Sequence, residues 1–349
     1  MATGYHPGLF DGVEAYARVD ACGDPLVALE SAVNWRGLDL LMSGIVFDRD
    51  GNGGKGGRKP LPGLMMAKIL ILQACNNLSD DRAEFLINDR LSFKRFLGLE
   101  LREKSPDSKT IWLWRERVLH SGLHAKIFAW FEGELTRSGF EAKDGQIVDA
   151  TFVPTHKPTG KHKRQLAEET PLSEAQARQI DGDATFTKKA AVTHHGYKNH
   201  ANVDAGWKLI RAAEITPNAP HDSTEFEGLL REGDTEKSED ERRVWGDSAY
   251  RSAAAEAMLV EKNLVSQVHE RAYRNRPLSE AQKAANRLKS TVRVRIEHVF
   301  GHMETAMGGM LIHTLGLARA TLKITFKNLA YNLQRFVFLT SRRRQEQCI

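Results

Sequence analysis

Hydrophobic positions recur at helical spacing up to about residue 140 and at strand spacing after residue 144. Residues 1 to about 50 hold short amphipathic pieces such as Leu26 to Trp35. Pro60 and Pro62 precede the apolar run Leu64 to Ala74, a pairing that predicts a helix start. Asp81 followed by Glu84 resembles a capping box opening a second helix through Phe85, Leu86 and Ile87, and Ser92 to Leu97 predicts a third. Pro106-Asp-Ser108 opens a further helix with Ile111, Trp114 and Val118 on its apolar side and Lys109, Arg115 and Arg117 on its other faces. Short helices ending in a basic one make a candidate helix-turn-helix DNA-binding module; from this segment alone the pattern favours a plain helical bundle with a solvated face.

Beyond residue 144 the period shortens. Gln146 to Val153 is a β-run bounded by Asp144-Gly145 and Pro154. A polar, basic stretch follows over about 155–193, carrying Lys157, Lys161, Lys163, Arg164, Lys188 and Lys189. It reads as an excursion with a short helix from Ser173. Strands are predicted at Asn199–Val203 and Leu209–Ile215, joined as a hairpin through Ala205-Gly-Trp207. Thr224–Arg231 predicts a helix, Val244 to Ser248 a short strand, Ala253–Lys262 a helix and Leu264–Val268 a strand. Helices over about Ser279–Thr305 and Leu317–Leu339 follow, with Arg342-Arg-Arg344 in a basic tail.

Composition narrows the class. A 41% hydrophobic fraction supports a real core, and a formal net charge of +5 is mildly basic, compatible with a polyanionic partner. Cys22, Cys75 and Cys348 are too few and too scattered for a disulfide framework or a cysteine zinc site, so a reducing, cytoplasmic setting is expected. The N-terminus has no signal-peptide pattern, and the longest apolar run contains Lys68 and is too short to span a bilayer. Gly51 to Gly57 reads as a flexible linker rather than a phosphate loop, because Gly56 and not Ser or Thr follows Lys55. His194, His195 and His200 lack the cysteines or the HExxH pattern that would make a zinc site.

Three acids stand out by context. Asp149 lies inside an apolar strand, where propensity and desolvation disfavour a lone carboxylate, so it needs a partner such as a cation. Asp247 sits at a strand end, where open α/β sheets place their ligands. Glu297 lies on a helix beside the apolar stripe of Val292, Ile296, Val299, Phe300 and Met303, on a flanking face with Arg293 and Glu304. Carboxylates are hard oxygen ligands suited to Mg²⁺ or Mn²⁺, and two such ions about 4 Å apart can activate an attacking hydroxyl and stabilise a leaving oxygen. Arg293, one turn before Glu297, can orient that carboxylate or bind a phosphate. Tyr197 and Lys198 are candidate base-stacking and phosphate contacts.

An ordered set of words covers most of the chain: Gly57-Arg-Lys-Pro-Leu61, Pro106-Asp-Ser-Lys-Thr-Ile111, Ile147-Val-Asp-Ala-Thr151, Thr187-Lys-Lys189 and His195-Gly-Tyr-Lys-Asn-His200. It continues with Gly246-Asp-Ser-Ala-Tyr250, Arg293-Val-Arg-Ile-Glu-His-Val-Phe-Gly301, Leu317-Ala-Arg319 and Asn328-Leu-Ala-Tyr-Asn-Leu333. In these words the chain resembles the IS5-type transposases of the IS4/IS5 superfamily of bacterial insertion sequences. The resemblance implies an α/β, ribonuclease H-like catalytic domain, a mixed sheet flanked by helices, behind an N-terminal helical DNA-binding domain. The expected division is a helical or flexible region over 1–56, a helix-turn-helix-like DNA-binding domain over 57–140, the catalytic domain over 141–340 and a basic tail over 341–349.

The same resemblance places a catalytic, metal-binding triad on Asp149, Asp247 and Glu297, with two Mg²⁺ or Mn²⁺ ions. It implies hydrolysis at the element ends followed by strand transfer of the 3′-hydroxyl. Expected partners are the terminal inverted repeats, target DNA and a second copy of the chain, since two ends must be synapsed, with no membrane. DNA contacts are expected from Lys109, Arg115, Arg117, Tyr197, Lys198 and Arg293. The chain departs from the related Tyr-x2-Arg-x3-Glu-x6-Lys signature, with Ser290 and Glu304 at its Tyr and Lys positions. A metal-dependent nuclease that does not join ends, and an inactive or domesticated DNA-binding protein, are the alternatives.

Overall fold

The computed structural model describes residues 11–44, 61–158, 173–189, 191–234, 236–274 and 276–347, with 160, 164 and 168 singly. The Gly51–Gly57 linker, Pro60, Lys161 and Lys163 lie outside the described residues. The chain divides into two compact units, one ending at Trp130 and resuming at Phe336, the other spanning Phe131–Arg335.

The first unit is helical: α1 (Asp11–Ala21), α2 (Pro25–Ala32), α3 (Arg36–Ser43), α4 (Gly63–Asn76), α5 (Asp80–Asp89), α6 (Leu91–Leu97) and α7 (Ser108–His120). Helix α4 is buried along most of its length, from Met65 to Gln73, and so lacks a polar stripe. Its buried Lys68 is satisfied by both carboxylate oxygens of Glu30, at 2.8 and 2.6 Å, and by the Phe96 carbonyl. The cap of α5 is Ser79, whose hydroxyl accepts from Arg82 N, and not Asp81, which lies inside the first turn. Asp107 caps α7 as its sequence predicts, accepting from Thr110 N.

The second unit begins within α8 (Leu123–Arg137) and is built on β1 (Gln146–Pro154), β2 (Thr185–Lys189), β3 (Val192–Asp204), β4 (Ile210–Pro217), β5 (Arg243–Trp245) and β6 (Val265–Ser266). Its other helices are α9 (Glu174–Ala177), α10 (Phe226–Leu229), α11 (Glu239–Arg242), α12 (Ala253–Glu261), α13 (Glu280–Thr305) and α14 (Leu317–Gln347), the last running on beyond this unit. Among the described residues the strands form one mixed sheet ordered β2-β3-β1-β5-β6, with β4 also paired to β3. β3 runs antiparallel to β1 and β4, whereas β5 is parallel to β1 and β6 parallel to β5. An antiparallel meander extended on the far side of its first strand by parallel strands, with helices on both faces, is the ribonuclease H-like arrangement that the resemblance implies.

Alternation along β1 decides what each face meets. Val148 packs with Phe226, Leu229, Val244, Tyr250 and Leu259 on the face covered by α10 and α12. The opposite face carries Asp149 and, across the β1–β3 ladder, Asn199, whose register partner is Thr151. Asn199 and Asn328 of α14 exchange amide hydrogen bonds at 2.8 and 3.1 Å, and Asn332 brackets the N–H and carbonyl of Ile210 at 2.9 and 2.8 Å. The Asn328–Leu333 word therefore docks a helix on the sheet. Gly196, at φ 141°, is required by close approach: a Cβ there would lie 2.2 Å from the Val153 carbonyl oxygen.

Several elements differ from the sequence reading. The strand Thr185–Lys189 is an addition inside the basic excursion, and β3 begins at Val192 rather than Asn199. The helix predicted over Thr224–Arg231 shortens to a 3₁₀ turn and the four residues of α10. Helix α14 continues to Gln347, so Arg342–Arg344 are helical rather than a tail.

Candidate active site

Asp149 sits in mid-strand, on a side chain 17% exposed. Its Oδ1 accepts from the Ala150 N–H at 2.8 Å and its Oδ2 from Arg293 at 2.7 Å. Burial pushes its pKa up to about 6; the Ala150 bond and Arg293 oppose the rise, the charge of Asp247 adds to it, and Lys189 lowers it. Asp247 follows β5 by two residues and caps the 3₁₀ turn Ser248–Tyr250 by accepting from Ala249 N at 2.8 Å. Gly246 before it is close-packed: a Cβ there would stand 3.1 Å from the Tyr250 ring.

Glu297 is half-exposed on α13, whose Ile296, Val299 and Met303 are buried as the apolar stripe predicts. Arg293 joins two of the three acids: one amino group bonds Asp149 and the other bonds Glu297 at 2.8 Å. Asp247 stands close enough to act on Asp149 through its charge. Among the described residues no three carboxylates or imidazoles stand close enough to hold one ion, the Arg293 guanidinium being interposed between Asp149 and Glu297. The three acids are hard oxygen donors, and two of them, Asp149 and Glu297, converge on one positive group, the Arg293 guanidinium.

Around this centre, His269 contacts Ser290 at 3.3 Å, so the residue at the family's Tyr position packs against an imidazole. Burial, then Arg293 and Lys289, hold that imidazole's pKa below the ordinary value, against the pull of Asp247. Glu304 is exposed on the same helix. Lys189 belongs in the sequence to the basic stretch over about 155–193 and to the word Thr187-Lys-Lys189. Its Nζ lies 5.6 Å from the Phe152 ring and its charge reaches Asp149. The position of Lys189 beside the site follows from the β2–β3 pairing, which no local pattern announces.

The predicted DNA contacts separate by exposure. Lys109 is exposed on α7 and Arg117 is half-buried. Arg115 is buried, held bidentately by Asp80 at 2.5 and 2.7 Å. Tyr197 is fully buried and donates its hydroxyl proton to Asp181 at 2.8 Å. Lys198 is buried, with its ammonium on the Pro220 carbonyl at 2.6 Å and on Asp222 at 2.8 Å. Strand alternation and a sequence word do not disclose these internal partners, which lie in separate segments. The three histidines are dispersed: His194 stacks on Phe152, His195 meets the Thr155 hydroxyl, and His200 meets that of Thr216.

Residues 141–333, more than half of the chain, match the family described as "Transposase DDE domain", and residues 13–117 match "Transposase domain (DUF772)". The chain belongs to the DDE-domain transposases. It is similar to the transposase for insertion sequence element IS1106 of Neisseria meningitidis serogroup B, 29% identical over 205 residues that make up 57% of this chain and 68% of that protein. Among solved structures, a piggyBac transposase in a synaptic complex with hairpin DNA aligns over 89% of this chain and 74% of its own, with 12% identity and a TM-score of 0.42. No helix among the described residues is long and apolar enough to cross a membrane.

Proposed function

We propose that the chain is the transposase of a bacterial insertion sequence of the IS5 type, cutting the element ends and joining them to target DNA. The observation that carries this reading is the convergence of Asp149 and Glu297 on one guanidinium, with the charge of Asp247 acting on Asp149. Asp149, Asp247 and Glu297 would hold divalent ions, Mg²⁺ or Mn²⁺. When bound, such ions lower the pKa of an attacking hydroxyl and neutralise charge on the leaving oxygen.

Hydrolysis of a phosphodiester at the element end leaves a 3′-hydroxyl. That hydroxyl then attacks a target phosphodiester, a target 3′-oxygen leaves, and the number of phosphodiester bonds is conserved in the second step. Arg293 fixes the direction of Asp149 and Glu297, and its guanidinium can turn to a phosphate of the incoming strand. Lys189 adds positive charge beside the same strand edge.

Residues 57–140 are assigned to DNA binding in a helix-turn-helix-like manner, with Lys109 and Arg117 as the contacts from α7. Arg115 steadies α7 from inside through Asp80, and within the second unit Tyr197 and Lys198 steady β3 through Asp181 and Asp222. Two ends must be held together, so the working form is a dimer or larger, acting on DNA in the bacterial cytoplasm.

The test is Asp149→Ala with radiolabelled element ends and Mg²⁺ or Mn²⁺. Cleavage and joining should both disappear while end binding persists; normal cleavage by this variant overturns the assignment. Pre-cleaved ends with a plasmid target separate a transposase, which joins them, from a nuclease that only cuts. Ser290 and Glu304 favour a second reading, an inactive DNA-binding descendant, which predicts end binding without metal-dependent cleavage.

A further inference from the structure

A second feature of the catalytic unit lies beyond the three acids. Three segments meet past the C-terminal end of β1. The Ile312 N–H bonds the Pro154 carbonyl at 3.1 Å, and the Gly316 and Leu317 N–H groups bond Asp181 and Asp183 at 3.1 and 2.8 Å. Between residues 155–158, 179–181 and 312–315 these bonds leave a cleft of about 240 Å³.

The cleft is lined by an unusual pair. His156 Nε2 lies 2.7 Å from His313 Nδ1, with ring centroids 4.7 Å apart, and both residues are exposed. One N–H between the two nitrogens satisfies that contact; a proton on both facing nitrogens would set two donors against each other. Burial, then the charges of His156 and Lys323, hold the His313 pKa below its ordinary value. Lys157 stands in the same lining with its ammonium on the Thr193 carbonyl at 3.0 Å, which uses one of its three protons. The Thr314 hydroxyl oxygen is buried without a partner among the described residues.

The one carboxylate in the lining, Asp181, is already saturated. It accepts from the Tyr197 hydroxyl and from the N–H groups of Asp183, Ala184 and Gly316. The cleft therefore collects hydrogen-bond donors and latent positive charge while its acid is turned inward, which is the chemistry of a tetrahedral oxyanion site.

We propose that the cleft between His156 and His313 binds one backbone phosphate of a DNA strand leading away from the catalytic acids. Both imidazoles donate to the phosphate, with Lys157 and the Thr314 hydroxyl completing its shell. Pro154, the residue before the cleft lining begins at Thr155, is five residues beyond Asp149, roughly 17 Å along the strand, or about five base-pair steps of duplex at 3.4 Å each. The contact thus fixes the register of the DNA beyond the scissile bond and carries no base information. It rests on the reading of the chain as a DNA-processing enzyme.

The experiment uses the full chain and a duplex element end, with affinity measured against salt. Neutralising one phosphate contact should lower the salt slope by about 0.9. His156→Asn/His313→Asn, checked for an unchanged thermal melt, should show that loss and bind about three- to tenfold more weakly at 0.15 M salt. His156→Asn/His313→Arg, which restores one fixed charge, should recover the slope. Inorganic phosphate should shift the imidazole Cε1–H resonances of His156 and His313 saturably. A folded double-Asn variant with unaltered slope overturns the proposal. If the unaltered chain fails to bind DNA at all, the DNA reading falls and takes this contact with it.

Discussion

The guanidinium of Arg293 donates to Asp149 Oδ2 at 2.7 Å, joining residues 144 positions apart and fastening α13 to the middle of β1. The same guanidinium holds Glu297, so one cation serves two of the three acids. A guanidinium and a divalent ion compete for the same carboxylate oxygens. Arg293→Gln should therefore bind Mn²⁺ at least tenfold more tightly in the absence of DNA, by isothermal titration, a gain of about 1.4 kcal/mol. Weaker binding in this variant would mean that Arg293 builds the ion site rather than competing for it.

Asp149 is held at a cost to the fold. Burial raises its pKa to about 6, above the ordinary 3.8. Ionisation thus favours the unfolded chain, by an amount that grows as pH rises from about 4 to about 6 and is constant above that. Asp149→Asn removes the penalty. With EDTA at pH 7.5 the variant should be more stable by roughly 2 kcal/mol, about 5 °C in Tm, with no advantage near pH 3.5. Calorimetry across pH checks this, and an advantage that persisted at pH 3.5 would assign the effect to something other than ionisation.

Asn199 and Asn328 are fully buried, and each amide donates to the other across the sheet–helix contact. Replacing one alone strands the other, which costs about 2–3 kcal/mol. Asn328→Leu should lower the urea midpoint clearly. The double change Asn199→Leu/Asn328→Leu should be less damaging than the sum of the two single changes, and strict additivity would refute the coupling.

Gly196 should tolerate no side chain. With its Cβ position 2.2 Å from the Val153 carbonyl, Gly196→Ala must part β1 from β3 at the end of the strand that carries Asp149. The expected loss is about 3 kcal/mol or more, seen as insoluble protein or a collapsed melting temperature.

On α7, Lys109 and Arg115 should behave oppositely. Lys109→Ala should weaken end binding by a few-fold and leave the melt unchanged. Arg115→Met leaves Asp80 without its bidentate partner and should cost about 3 kcal/mol of stability. A normal melt for Arg115→Met would return that arginine to the DNA-facing surface.

These contrasts mark what the sequence discloses. An acid in an apolar strand, an acid at a strand end and an acid beside a helical stripe are each visible because local patterning fixes their surroundings. Tyr197 and Lys198 are different: their partners Asp181 and Asp222 lie in segments brought close only by the folded chain. The strand Thr185–Lys189 is short and polar, and only its pairing to β3 defines it. Helix α14 runs past Leu339 because no Gly or Pro halts it. The Ser79 cap was masked by two aspartates in the first turn, which look like caps but serve the helix dipole.

The parallel pairing of β1 with β5 joins only Gln146 to Val244 and Ile147 to Trp245. During synthesis at about 5–20 residues per second, β1 leaves the ribosome many seconds before β5, and α13 follows later still. Such distant pairing is slow to form. A growing chain thus carries its first acid exposed and unmatched while the sheet is still an antiparallel fragment. The three acids come together only once α13 has been made, so a chain stopped before α13 carries the helices of the first unit and β1 without Glu297.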